Sequence, residues 1–173
     1  MNINTKIAIK SHDMARKWLK DIDKLIADNI DVLTCQDIHQ MYFGLFGELK
    51  YWRSSSSGFT GLSEYLLFRT LFHSINETFI HQENGDIGTD PVLFKSNSYL
   101  IGQNVRIPFK GKNKFPDIFV KKNNMLKSIV QIKIVMGGGK KQIDNEVETF
   151  RLMKEEYPKL KGLFISYIKN SFT

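Results

Sequence analysis

An aspartate, a glutamine and a lysine are spaced along this chain so that two paired strands could bring them together in one polar site. Asp117 follows Pro116, and after thirteen intervening residues come Gln131, Ile132 and Lys133. Alternate side chains of a strand share a face, so Gln131 and Lys133 are expected to point the same way. Burying an amide and an ammonium is costly unless each finds a partner. We therefore expect the pair to face a polar cleft or a bound ion, with Asp117 as the partner.

Two predicted strands must hold these side chains. Strand-favouring β-branched and aromatic residues run through residues 115–120 and again through residues 129–135. The Asn123–Asn124 pair between them indicates a hairpin turn. Asp117 on the first strand is thereby brought beside Gln131 on the second.

Pro116-Asp117 followed by Gln131-Ile132-Lys133 resembles the signature of the PD-(D/E)xK nuclease superfamily, with glutamine in place of the usual acid. The resemblance covers residues 60–168. It implies an α/β fold whose core is a helix, three strands, a helix and a strand. It also implies Mg²⁺-dependent hydrolysis of phosphodiester bonds in double-stranded DNA.

The resemblance implies a role for each candidate residue. Asp117 would anchor Mg²⁺, Gln131 would offer its side-chain oxygen, and the main-chain carbonyl of Ile132 would complete the protein's share of the ligands. Lys133 would stand beside the attacking water and the scissile phosphate. Glu64, in the first turn of a predicted helix, would add a second carboxylate. Its alternative role is to complement the helix dipole.

Basic side chains near these residues are the candidates for DNA contact. The serine-rich connection after Trp52 either contacts phosphates or is only a linker. The lysine run before Asp117 either contacts phosphates or is a solvated turn. The glycine run at residues 137–139 leads into a helix whose N-terminus would suit a phosphate. The predicted DNA-binding residues are Arg53, Lys110, Lys112, Lys114, Lys140 and Lys141.

Composition limits the class of protein. The 173 residues suit one domain, and a formal net charge of +7 is a mild argument for a polyanionic partner. The single cysteine, Cys35, excludes an internal disulfide and a multi-cysteine zinc site, and we expect it to be buried. No segment approaches the roughly 18 continuous apolar residues of a membrane span. We therefore expect a cytoplasmic protein without a membrane partner.

Hydrophobic periodicity predicts a helical layer ahead of the nuclease-like core. Residues 11–52 are expected to be mainly helical with a break near Asp28, and Thr34 or Asp37 is expected to cap the second helix. Met14, Trp18, Ile22, Leu25 and Ile26 form the predicted buried stripe of the first helix. We expect residues 1–59 to be a helical region packed on a core of residues 60–173, in one domain overall.

The core is predicted to begin with a long helix over residues 61–81. A loop over residues 84–91 and short strands precede the hairpin. A helix that ends before Pro158 and a buried strand over residues 162–168 follow it.

The whole chain looks like a small type II restriction endonuclease acting as a homodimer on a short palindrome, because two-fold protein symmetry matches two-fold DNA symmetry. The alternatives are a repair or junction-resolving nuclease and a catalytically silent DNA-binding module. Gln131 leaves the metal site one negative charge short, which would weaken metal binding. If Glu64 points elsewhere, a single carboxylate is a poor Mg²⁺ site.

Overall fold

The computed structural model describes residues 3–48, 60–82, 93–133 and 140–166. Within these ranges the chain is mixed α/β, as the sequence predicts. The helices are α1 (Ile3–Asp28), α2 (Cys35–Glu48), α3 (Thr60–Ser74) and α4 (Lys140–Glu156). The strands are β1 (Ile80–Gln82), β2 (Leu93–Lys95), β3 (Tyr99–Gly102), β4 (Ile107–Phe109), β5 (Lys112–Lys114), β6 (Ile118–Lys122), β7 (Met125–Lys133) and β8 (Lys161–Ser166).

Six of these strands form one sheet in the order β1-β2-β3-β6-β7-β8. Neighbouring strands are antiparallel except β7 and β8, which are parallel and are connected through α4. Strands β4 and β5 form a separate antiparallel hairpin. The order from α3 onward is therefore a helix, strands that end in the β6–β7 hairpin, a helix and a parallel strand.

The β6–β7 hairpin turns at Asn123 and Asn124, as the sequence predicts. Both residues have left-handed backbone conformations, with φ of 49° and 60°. Consecutive left-handed residues suit the right-handed twist of the paired strands, and asparagine tolerates them well. Phe115 was expected inside the first strand, but β6 begins only at Ile118. Pro116 has no backbone N–H to donate to a ladder, which explains the later start.

The two faces of the sheet are covered by different elements. Val130 and Ile132 belong to a hydrophobic cluster with residues of α1, α2 and α3. Ile129 belongs to a second cluster with Met153 of α4 and residues of the β4–β5 hairpin. Gly162 marks the close approach of α4, because a Cβ there would lie 2.7 Å from the Phe150 ring. Successive β7 side chains therefore point to opposite layers.

Helix α1 differs from its prediction at both its start and its buried stripe. It begins at Ile3 rather than near residue 11. Ile22 and Ile26 are buried, but Met14, Trp18 and Leu25 are exposed. Helical periodicity identifies an apolar face, but it does not say how far along that face the neighbouring helices reach.

Of the two residues predicted to cap α2, Thr34 and Asp37, the structure has Thr34 in that role. The Asp37 carboxylate accepts hydrogen bonds from the Thr34 backbone N–H at 2.8 Å and from the Thr34 hydroxyl at 2.6 Å. The Thr34 hydroxyl oxygen accepts in turn from the Asp37 N–H at 3.2 Å. Thr34 is therefore the cap, with Asp37 as its reciprocal partner. Cys35, which opens α2, is exposed rather than buried.

Helix α3 is shorter than predicted, ending at Ser74 instead of continuing to residue 81. Glu77 explains the change, because its carboxylate accepts hydrogen bonds from the Ser96 hydroxyl at 2.5 Å and the Ser98 N–H at 3.1 Å. These bonds tie residue 77 to the turn between β2 and β3. Phe79 still packs against Phe72, with ring centroids 4.7 Å apart, although it is outside the helix.

Several predictions lie outside the described residues. These are Arg53 with the serine-rich connection, the loop over residues 84–91 and the glycine run at 137–139. The described helices include none long and apolar enough to cross a membrane.

Candidate functional site

Asp117 and Gln131 are in direct contact. The Gln131 side-chain Nε2 donates a hydrogen bond of 2.6 Å to Asp117 Oδ2, and the backbone N–H of Ile132 donates one of 2.5 Å to the same oxygen. Ile118 pairs with Val130 in the hairpin, so continuing the register by one residue places Asp117 opposite Gln131. This is the partnership that the sequence predicts.

The position of Asp117 at the beginning of β6 explains why its carboxylate reaches the β7 backbone. The backbone carbonyl of the preceding Pro116 accepts a hydrogen bond from the N–H of Asn104. The Asp117 side chain then provides the acceptor for the Ile132 N–H. The carboxylate thus lies where the ladder between β6 and β7 ends.

The Gln131 side chain is buried and only partly hydrogen-bonded. The residue is 3% exposed, and its Oε1 atom is buried without a hydrogen-bond partner among the described residues. Because Nε2 faces Asp117, the amide is oriented with Oε1 turned away from the carboxylate. An unpaired buried acceptor costs about 1 to 3 kcal/mol. Gln131 therefore presents an oxygen that a cation or a proton donor would stabilise.

Lys133 is the last described residue of β7, and its backbone lies in register with Ser166 of β8. Its side chain is outside the described structure. Because Lys133 is two residues beyond Gln131 on a regular strand, it belongs to the face that carries Gln131 and Ile129. Its placement beside a scissile phosphate stays a prediction.

Glu64 lies near the beginning of α3 and its side chain is half-buried. Leu71, two turns later, shares a cavity of about 630 Å³ with Val120 and Ser128 in the middle of the β6–β7 hairpin. Glu64 is about 10 Å further along the helix axis. Helix α3 covers the face of the sheet opposite to the one that carries Gln131. Contact of Glu64 with a shared metal stays a prediction.

Two of the lysines predicted to bind DNA are held by glutamates of α4. Lys110 forms an ion pair with Glu155. Lys114 forms one with Glu146, in which both side chains are only 14% exposed. Lys112 is exposed. The side chains of Lys140 and Lys141 are outside the described structure, although α4 begins at Lys140.

The Lys114–Glu146 pair also orients α4. Lys114 stands three residues before Asp117, and Glu146 lies in the second turn of the helix. The N-terminus of α4 is therefore at the same end of the molecule as Asp117 and Gln131.

A polar cluster that the sequence did not reveal joins α1 to α3. Asp23 accepts hydrogen bonds from the Nε and Nη2 atoms of Arg69, the second at 2.7 Å, and lies 2.8 Å from His73 Nε2. Burial raises the pKa of Asp23, but the hydrogen bonds and charges of Arg69 and His73 outweigh it and hold the pKa below its ordinary value. Arg69 and His73 are one helical turn apart, but Asp23 is 46 residues away from Arg69. Local spacing therefore gave no signal of the cluster.

The described ranges contain no group of three histidine, cysteine, aspartate or glutamate side chains that could hold a metal ion. The Asp117–Gln131 pair combines one carboxylate with one neutral amide. By itself, the pair therefore carries a single negative charge.

No protein-family model, curated protein or solved structure matches the chain. Its function must therefore be inferred from the geometry of the site.

Proposed function

We propose that this protein is a Mg²⁺-dependent DNA endonuclease built on a core of the PD-(D/E)xK type. The observation that carries the proposal is the contact of Asp117 with Gln131, next to the first residue pair of the β6–β7 ladder. The contact joins two separate parts of the sequence signature. It also leaves a buried oxygen of Gln131 available for a cation.

The order of elements supports the same proposal. The resemblance implied a helix, three strands, a helix and a strand, with Pro-Asp at the second strand and Gln-x-Lys on the third. Helix α3, strands β3, β6 and β7, helix α4 and strand β8 follow that order, and β8 lies parallel to β7. Asp117 precedes β6, and Gln131 lies on β7.

Oxygen atoms are available for a hard divalent cation. Asp117 and the main-chain carbonyl of Ile132 would hold Mg²⁺, with Glu64 as a second carboxylate that reaches the ion around the end of the sheet. The Gln131 Oε1 atom would join them once its amide turned over and gave up the Nε2 hydrogen bond to Asp117. The buried, unpaired Oε1 atom fits this role, because a cation would relieve its lost hydration. The bound ion would supply positive charge at the scissile phosphate and lower the pKa of a nearby water.

The side chains of the protein have distinct tasks in this proposal. Asp117 orients the Gln131 amide by accepting a hydrogen bond from its Nε2 atom. Lys133, on the same face of β7, would place an ammonium next to the phosphate and stabilise its growing negative charge. The first turns of α4 would hold a flanking phosphate through Lys140, Lys141 and the backbone N–H groups.

The biological class that fits best is a type II restriction endonuclease that works as a homodimer in the cytoplasm. Two copies related by a two-fold axis would cut both strands of a palindromic site. A second candidate, a DNA-binding module without catalysis, is favoured by one observation. Asp117 Oδ2 already accepts two protein hydrogen bonds, and its partner Gln131 carries no charge.

Cleavage of plasmid DNA tests the proposal. We expect discrete fragments with Mg²⁺, none with EDTA, and at least a 100-fold lower rate for Asp117→Asn and Lys133→Ala, since charge stabilisation of this kind is worth roughly 10²-fold or more. Asp13→Asn, which changes an exposed aspartate on α1, is the matched control and should cut normally. DNA binding without cutting under any divalent metal would leave the silent module. Equal rates for the wild type and Asp117→Asn would refute this site.

A further inference from the structure

We propose that the outer face of the β4–β5 hairpin reads the DNA groove beside the cleavage site. Arg106 and Asn113 would contact base edges, and Phe115 would pack against the bases. The inference rests on the proposed nuclease function, because it says how that site finds its DNA.

The hairpin has one buried and one open face. Ile107 and Phe109 are buried in the cluster that includes α4. Alternation along the strand turns Pro108 to the opposite side, together with its register partner Asn113. Both of these residues are exposed.

Arg106 and Phe115 extend this open face toward Asp117. The Arg106 Nε atom donates a hydrogen bond of 2.8 Å to Asn113 Oδ1, which fixes the guanidinium across the two strands. Phe115 is 56% exposed although it stands two residues before Asp117. Only Pro116, which is buried, separates the two residues along the chain. The open face therefore comes within two residues of the candidate site.

The hairpin is held firmly on α4. Its two lysine anchors, Lys110 and Lys114, pair with Glu155 and Glu146 near opposite ends of the helix. The Tyr157 hydroxyl just after α4 donates a hydrogen bond of 2.7 Å to the backbone carbonyl of Pro108. A recognition surface benefits from such a rigid support, because little ordering is required when the partner binds.

The positive charge of the hairpin favours a polyanion as the partner. Residues 105–116 contain Arg106, Lys110, Lys112 and Lys114 and no acidic residue. The glutamates of α4 neutralise two of these, which leaves Arg106 and Lys112 to attract DNA. A two-stranded antiparallel ribbon fits the major groove.

Groove chemistry also matches the side chains on the open face. Arginine forms paired hydrogen bonds with guanine, and asparagine does so with adenine. An exposed phenylalanine such as Phe115 can contact the thymine methyl group in the same groove.

The test selects duplexes from a randomised DNA pool with the full chain in EDTA and measures the affinity for the enriched sequence. We expect Arg106→Ala and Asn113→Ala to bind it about 10-fold more weakly and to lose the enrichment. Arg106→Lys should fail to restore the enrichment, because an ammonium lacks the planar fork of the guanidinium. Lys24→Ala removes a charge from an exposed position on α1, in the opposite layer, and should behave as the wild type.

A photo-crosslinking p-benzoylphenylalanine at position 115 provides an independent measurement that does not depend on the Arg106–Asn113 bond. It should crosslink to DNA, whereas the same group at Leu25, an exposed apolar residue of α1, should not. A wild type that binds no DNA would refute the nuclease proposal itself. Normal DNA binding with unchanged hairpin variants and no crosslink at 115 would refute only the hairpin inference.

Discussion

Gln131 is the residue at which this site departs from an ordinary pair of metal-binding carboxylates. Its Nε2 atom donates to Asp117, so the two side chains hold each other without any cation. A glutamate at this position would instead place two carboxylates in contact. The neutral amide therefore holds the two side chains together without a metal, and the proposed metal site has one negative charge fewer than a pair of carboxylates.

The substitution Gln131→Glu tests this account. Without metal, the loss of the hydrogen bond and the new buried charge should lower the free energy of unfolding by about 2 to 4 kcal/mol. Millimolar Mg²⁺ should restore most of the loss, because a divalent cation between the carboxylates removes their repulsion. Thermal melts with EDTA and with Mg²⁺ give both values.

Gln131→Met is the matched control for that experiment. It also removes the hydrogen bond to Asp117, but it adds no charge, so Mg²⁺ should not rescue it. Rescue of both variants, or of neither, would mean that no divalent cation binds between residues 117 and 131.

The sequence predicted this pairing because both strands that carry it have strong local signals. β-branched residues define β6 and β7, and the Asn123–Asn124 turn joins them. A one-residue register shift between Val120 and Lys121, which the sequence does not reveal, then brings Gln131 opposite Asp117. The sequence could not predict that the Gln131 Oε1 atom is buried and lacks a hydrogen-bond partner among the described residues. It depends on how α4 covers that face of the sheet.

At the scale of whole elements, the sequence was least informative where a long-range contact overrode local periodicity. Ile75 and Phe79 continue the apolar spacing of α3, yet the helix ends at Ser74. The Glu77 carboxylate, bound to Ser96 and Ser98 in a distant turn, competes with the helix for this segment. No pattern within residues 61–81 encodes that contact.

The attachment of the hairpin to α4 gives a prediction at this scale. The Lys114–Glu146 pair is largely buried, so Glu146→Ala would leave an ammonium without its carboxylate. We expect a loss of about 2 to 4 kcal/mol in the free energy of unfolding. Faster amide hydrogen exchange in β4 and β5 should accompany the loss.

Glu148 on the same helix is the comparison for Glu146. Its ion pair with Arg151 is more than half exposed, and exposed pairs contribute little. Glu148→Ala should leave hydrogen exchange in the hairpin unchanged. Similar effects of the two substitutions would show that the buried pair does not hold the hairpin.

Across the whole molecule, one sheet connects two layers with different proposed tasks. The α4 layer carries the β4–β5 hairpin and the open face for DNA, whereas α1, α2 and α3 cover the other side through the cluster of Ile26, Tyr42 and Leu66. The Asp23–Arg69–His73 cluster fastens α1 to α3 within that second layer. The stability of the whole fold should therefore depend on the charge of Asp23.

The pH dependence of unfolding tests that link. The pKa of Asp23 lies below its ordinary value of 3.8 in the folded protein, so its contribution is present above that pH and is lost as the pH falls through the lower, folded pKa. Asp23→Asn should cost about 1 to 2 kcal/mol at pH 6, since the cluster is partly exposed, and less at pH 2. Urea denaturation of the wild type and the variant at both pH values measures this.

Asp21→Asn, an exposed neighbour on the same helix, should show no difference from the wild type at either pH. A cost for Asp23→Asn that stays the same at pH 2 would mean that packing, rather than the carboxylate charge, joins the two helices.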